Sequence, residues 1–128
     1  MVNRYLLDTN IIIARFDESL PEKGKNFLDK IGSELSVITR IELLGWGSLT
    51  VETYIRMTDF VNDSIVYLLT ESITRKAIDL RQTFKRLKTP DAIIAATAIE
   101  HGLALVTRNL DDFKQIPGLT IIKPFDLN

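Results

Sequence analysis

The chain has 128 residues, 45% of them hydrophobic and 26% charged, the proportions of a globular protein able to bury a core of its own. Its formal net charge is -1, so no global positive field recruits nucleic acid, and binding of that kind must come from local basic patches or from metal ions. The absence of cysteine excludes disulfides, thiolate nucleophiles and cysteine-based zinc sites, and fits a reducing compartment.

In chain order, short apolar runs alternate with amphipathic stretches. Residues 4–7 read as a buried strand, followed directly by Asp8-Thr9-Asn10 and the apolar Ile11-Ile12-Ile13. Asp8 interrupts the apolar residues before a secretory core can form, and no run approaches the roughly 20 residues of a membrane helix. A soluble, cytoplasmic protein with no membrane partner is therefore expected. Pro21 suits the first residue of a helix running to about residue 31, with Gly32 as its stop. Residues 35–38 form a second predicted strand, and Thr39 caps a helix through Leu44 that breaks at Gly45 and Gly47. Thr50 begins another helix, on which Tyr54, Met57, Phe60 and Val61 recur at helical spacing.

Residues 65–69 are a third predicted strand, and a long polar-faced helix continues to about residue 87. Thr89 and Pro90 then serve as N-cap and first helical residue of a helix over 91–101, closed by Gly102. Strands over 103–106 and 119–122 complete the pattern. No linker, low-complexity tract or repeat divides the chain, so residues 1–128 read as one domain. The alternation predicts an α/β fold, a short, mostly parallel sheet of about five strands flanked by helices.

In such a sheet, ligands collect in the crevice beyond the carboxyl ends of the strands. Asp8 stands at the end of the first predicted strand. Thr107, Arg108 and Asn109 follow the fourth, with Asp112 one turn further on. If both strands are central and parallel, these side chains meet at one edge. Asp91 opens a helix whose inward face is Ile94, Ala95 and Ala98, which sets the acid at a core-facing helix mouth. Glu42 lies among Ile41, Leu43 and Leu44 on a short apolar helix. Each acid alone has an ordinary explanation: a turn for Asp8, a favourable charge at a helix N-terminus for Asp91, a solvated residue for Glu42, a helix cap for Asp112. Gathered in a partly desolvated pocket, they would repel one another and titrate upward unless cations compensated. Oxygen-only clusters of this kind bind hard divalent cations such as Mg²⁺ or Mn²⁺.

Four blocks carry a family resemblance: Leu6-Leu7-Asp8-Thr9-Asn10, Thr39-Arg40-Ile41-Glu42-Leu43, Pro90-Asp91-Ala92-Ile93-Ile94-Ala95-Ala96-Thr97-Ala98, and Leu105-Val106-Thr107-Arg108-Asn109-Leu110-Asp111-Asp112-Phe113. Together they resemble the signature blocks of PIN domains, and most of all the VapC-type toxins of bacterial and archaeal toxin–antitoxin pairs. The resemblance covers essentially the whole chain. It implies a PIN fold, an Mg²⁺- or Mn²⁺-dependent endoribonuclease that hydrolyses RNA phosphodiester bonds through metal-activated water, a cognate antitoxin as protein partner, and a homodimer. Asp8, Glu42 and Asp91 match the family's first three acids. The fourth stays open between Asn109 and Asp112, because some members carry an acid where this chain has Asn109.

On that reading Asp8, Glu42, Asp91 and Asp112 are the catalytic and metal-binding acids. Thr9, Asn10, Thr107 and Asn109 would orient ligands by hydrogen bonds, or serve ordinary turn and cap chemistry. Arg40, Arg86, Lys88 and Arg108 are candidates for the RNA backbone; with Arg81 and Lys85, the first cluster reads equally as a solvated helix face. A single histidine excludes a two-histidine acid–base mechanism, and His101 at a helix end reads as structural. Tyr54, Met57 and Phe60, with Trp46 nearby, are core or interface. A phosphatase with a nucleophilic aspartate wants an acid where this chain has Asn10, and a phosphoacceptor domain wants a late lysine in the site. The same four blocks would also suit a housekeeping RNA-processing nuclease or, with catalysis lost, a PIN-like binding module.

Overall fold

Tyr5–Leu7 (β1) enters a sheet in which every pairing among the described residues is parallel. The structure is a computed structural model that describes residues 4–126. The other strands are Glu34–Ser36 (β2), Ile65–Tyr67 (β3), Ala104–Val106 (β4) and Ile121–Ile122 (β5). The strand order is β3-β2-β1-β4-β5. The chain thus moves outward from β1 through β2 to β3, then returns to lay β4 along the other side of β1. A crevice at the carboxyl edge follows from that reversal.

Among the described residues, seven α-helices connect and cover the strands: Thr9–Phe16 (α1), Glu22–Lys30 (α2), Val37–Leu44 (α3), Val51–Asn62 (α4), Glu71–Thr83 (α5), Thr89–His101 (α6) and the single turn Leu110–Phe113 (α7). Successive strand residues point to opposite faces. In β1, Leu6 packs into a core with Ile73, Leu80 and Ile94 of α5 and α6. Leu7 packs into a second core with Ile11, Leu43, Met57 and Val61 of α1, α3 and α4. Helices therefore bury both sheet faces, as an all-parallel sheet requires.

Helix α6 is unusual in being buried on every side from Ala92 to Ala98. Four alanines in that stretch let α5, α7 and the sheet approach its backbone closely. Gly102 ends it in the left-handed region at φ 65, a conformation a Cβ disfavours.

Several element ends differ from the sequence expectation. Residues 9–16 carry no predicted element, yet α1 begins immediately after Asp8, which caps it by accepting the Thr9 N–H at 2.8 Å. The second strand ends at Ser36, and Val37 and Ile38 are helical. Ser36, rather than Thr39, is the cap, its hydroxyl accepting the Ile38 N–H at 3.1 Å. β-Branched residues bias a local reading toward strand, but the cap overrides them. Helix α2 stops at Lys30 because Ile31 is extended (φ -107, ψ 156), so Gly32 lies beyond the stop. Helix α5 ends at Thr83; Arg81 then donates to the Leu87 carbonyl at 3.1 Å and holds the connecting loop. Lys88 is the cap position of α6, and Thr89 is already helical.

The cap assignment is directly testable. Ser36→Ala is expected to cost about 1 kcal/mol of stability, seen as a lower denaturation midpoint in urea. An unchanged midpoint would return the start of α3 to Thr39.

Candidate active site

Because β1 and β4 are parallel neighbours with Leu7 opposite Val106, the residues that follow them emerge side by side. Asp8 donates its N–H to the Val106 carbonyl at 2.9 Å and is only 5% exposed. One carboxylate oxygen accepts the Thr9 N–H. The other accepts the Thr107 hydroxyl at 2.8 Å and the Asn10 side-chain amide at 3.3 Å. Asn10 is fixed in turn, its Oδ1 accepting the Arg108 N–H at 3.1 Å. Thr107, fully buried, also accepts the Asn109 N–H at 3.0 Å.

Glu42 joins from the next helix. The Thr9 hydroxyl donates to Glu42 Oε1 at 2.6 Å and stands 3.2 Å from the Thr39 hydroxyl. A hydroxyl has one proton, so Thr9, having given it to Glu42, is left to accept from Thr39. Thr39 is a site residue that the sequence reading treats only as a helix cap. Its spacing of three from Glu42 places both on one face of α3, a signal visible only once the helix start is moved back to Val37.

Asp91 occupies the first turn of α6, where the helix dipole favours an anion. Burial nevertheless pushes its pKa up to about 6, with the charges of Asp8, Asp112 and Glu42 adding to the rise and Lys88 opposing it. Burial likewise raises Asp8, against the Thr107 and Thr9 hydrogen bonds, and Glu42 adds to the rise. Asp91 therefore feels the charges of the other three acids, and Asp8 feels that of Glu42. Among the described residues, no three His, Cys, Asp or Glu side chains close into a compact ligand set. An oxygen-only donor set with mutually repelling carboxylates fits a hard divalent cation, whose charge would relieve the repulsion.

The crevice continues into two clefts. One, of about 410 Å³, has Lys85, Arg86 and Lys88 on one wall and Asp91, Asp111 and Asp112 on the other. The second, of about 320 Å³, is lined by Arg108, Asn109, Asp111, Asp112 and Lys123. Asp111 and Asp112 border both, and the charge of Asp112 reaches Asp91. Arg86, Lys88 and Arg108 are thus brought to the site. Arg40 is exposed on α3, and no cleft or bond ties it to the acids.

Away from the acids, His101 stacks on Tyr67 at 4.0 Å, at the opposite end of α6 from Asp91 and about 15 Å from it by helix rise. The aromatic stripe divides. Met57 is core at 2% exposure, whereas Trp46 at 49% and Tyr54 at 47% are exposed. Phe60 is half-buried, edge-on to Phe16.

Compared with known proteins, the sequence matches the PIN domain over residues 5–119. The chain belongs to the PIN-domain family. Over a shorter stretch it resembles the Ribonuclease VapC1 of Rickettsia felis, 48% identical across 44 residues, which are 34% of this chain and 33% of that protein. Over nearly its whole length, this PIN chain resembles one in a toxin–antitoxin complex from Klebsiella pneumoniae, at 34% identity and a TM-score of 0.79, covering 96% of this chain and 99% of that one. VapBC-1 from nontypeable Haemophilus influenzae is similar at 26% identity and a TM-score of 0.78, covering 97% and 98%. The parallel five-stranded sheet and its flanking helices are thus the PIN architecture expected from the sequence. No helix among the described residues is long and apolar enough to cross a membrane.

The raised acids fix the sign of a pH dependence. The folded protein holds a proton on Asp91 up to about pH 6, whereas the unfolded chain releases it near pH 4. The native state therefore binds more protons in that window, and its stability falls as pH rises through it. Metal-free protein should melt at a higher temperature at pH 5 than at pH 7, and Asp91→Asn should flatten that difference. An equal slope in the mutant would contradict the coupling.

Proposed function

We propose that this PIN domain is a divalent-metal-dependent endoribonuclease and the toxin of a toxin–antitoxin pair acting in the cytoplasm. The observation that supports the nuclease reading is the meeting of Asp8, Glu42, Asp91 and Asp112 near the carboxyl edge of β1 and β4, where burial first, and then the charges of the other three, raise Asp91 to about 6. Support for the toxin reading is the full-length likeness to a chain of a toxin–antitoxin complex.

Asp8 and Asp91 would hold the metal, Mg²⁺ or Mn²⁺, with Glu42 and Asp112 completing the set directly or through water. When bound, such an ion lowers the pKa of water and neutralises charge that develops on the phosphoryl oxygens. The chain's own groups do the positioning. The Thr107 hydroxyl and Asn10 amide hold one oxygen of Asp8, and the Thr9 N–H holds the other. Thr39 and Thr9 orient Glu42, and Asn109 is tied to Thr107 through its backbone. Arg86 and Lys88 line the cleft beside Asp91 and suit the backbone phosphates flanking the scissile bond. The 2′-hydroxyl has no part in this scheme, so products should carry a 5′-phosphate and a 3′-hydroxyl.

The exposed Ile41, Trp46, Val51, Tyr54 and Ile55 offer an apolar surface on α3 and α4 for an antitoxin helix. Met57, buried beneath them, takes no part. An arginine from the same partner would pair with the acids.

RNA cleavage should require Mg²⁺ or Mn²⁺ and stop in excess EDTA. Asp91→Asn should lose at least about a hundredfold in rate, and Thr107→Val about ten- to a hundredfold by disordering Asp8. Cleavage undiminished by chelator would remove the metal mechanism. Expressed alone, the wild type should arrest growth, the Asp91→Asn variant should not, and co-expression of the adjacent gene product should rescue growth. Harmless expression of a protein that cuts RNA when purified would replace the toxin with a housekeeping nuclease.

A further inference from the structure

One flank of the acidic crevice is built around a side chain that hydrolysis does not use. Arg108 directly follows Thr107, and its backbone N–H is bonded to Asn10, itself bonded to Asp8. Its guanidinium carbon lies over the Phe125 ring, 4.5 Å from the centroid. Phe125 belongs to a short 3-10 turn, Pro124–Asp126, that follows β5, and it packs against the second core. That turn is seated closely on α2: a Cβ added at Gly24 would stand 2.6 Å from the Pro124 carbonyl oxygen. The ring is therefore a fixed support. Arg108 is exposed, makes no salt bridge among the described residues, and lines the cleft of about 320 Å³ that Asp112 also borders.

A ring behind a guanidinium restricts its swing without covering its other face. Backed by one, it is pre-positioned as a planar surface, and arginine planes and aromatic rings are what proteins stack against exposed bases. We propose that Arg108, supported by Phe125, is a stacking platform for an unpaired nucleobase beside the scissile phosphate. The substrate is then single-stranded at that position, because a base inside an A-form duplex has both faces covered by its neighbours. The inference rests on the nuclease reading and adds to it a residue pair that seats one base.

The test uses short unstructured oligoribonucleotides, each carrying the fluorescent base 2-aminopurine at a different position, bound to the Asp91→Asn protein so that they stay intact. Stacking should quench the fluorescence at one position. Arg108→Lys keeps the charge and loses the plane, so the quench should vanish and Kd should weaken on the order of tenfold, with the salt dependence unchanged. Phe125→Leu keeps apolar bulk and should reproduce part of the loss. A Kd and quench unaffected by Arg108→Lys would overturn the platform, as would an effect confined to the salt slope. Cleavage of the same oligonucleotides by protein with an intact Asp91 is followed in parallel. Normal cleavage with an indifferent Arg108→Lys variant overturns the platform and leaves the nuclease standing. Neither binding nor cleavage overturns both.

Discussion

The parallel pairing of β1 with β4 places the last residues of two distant segments in contact, and the site depends on that contact. Leu7 lies opposite Val106, so Asp8 and Thr107 leave the sheet together although 99 residues separate them in sequence. The hydroxyl of one meets the carboxylate of the other. Asp8 then has three duties: it accepts a hydrogen bond from the Thr107 hydroxyl, caps α1, and ties its own backbone to β4. Its ordinary role as a turn and cap residue and its proposed role as a ligand are compatible. The cap fixes where the carboxylate points.

The remaining acids arrive on helix starts or short helices packed against the same edge. Helix α6 delivers Asp91 because its alanine-rich body is buried on all sides and so has no freedom to rotate the acid into solvent. Helix α3 delivers Glu42 because Ser36 sets where that helix begins. Electrostatically the arrangement is unfavourable on its own. Burial and three like charges outweigh the helix dipole and Lys88 at Asp91. A cation bound at that edge, as proposed, would turn each repulsive contribution into an attractive one.

Much of this was legible in the sequence because the informative residues sit at element ends, where local chemistry is strong. Gly102 marks the end of α6, Pro90 its first turn, and Thr50 the start of α4, and all three lie where the residue type predicts. Asp8 and Glu42 stood out as candidates because each lies within an apolar stretch, Asp91 because it opens a helix with an apolar inward face, and Asp112 by its place one turn beyond the fourth strand. What escaped depended on tertiary context. Residues 9–16 are rich in β-branched side chains, so nothing local announced α1. Val37 and Ile38 read as strand for the same reason, which hid both Ser36 as the cap and Thr39 as a partner of Thr9. The support of Arg108 by Phe125 joins residues from different connections, and no periodicity encodes it. Basic residues near Asp91 looked equivalent in sequence, yet Arg81 holds a loop while Arg86 and Lys88 line the cleft.

On the proposed reading, the four carboxylates form one cation site whose mutual repulsion is relieved by the ion. Calorimetric titration of Mn²⁺ into the protein, repeated in buffers of different ionisation enthalpy, measures the protons released on binding. With Asp91 raised to about 6, binding at pH 6 should expel a substantial fraction of a proton. That release should shrink toward pH 7.5 and be absent in Asp91→Asn. Mn²⁺ binding without proton release at pH 6, or with the same release in Asp91→Asn, would contradict the account.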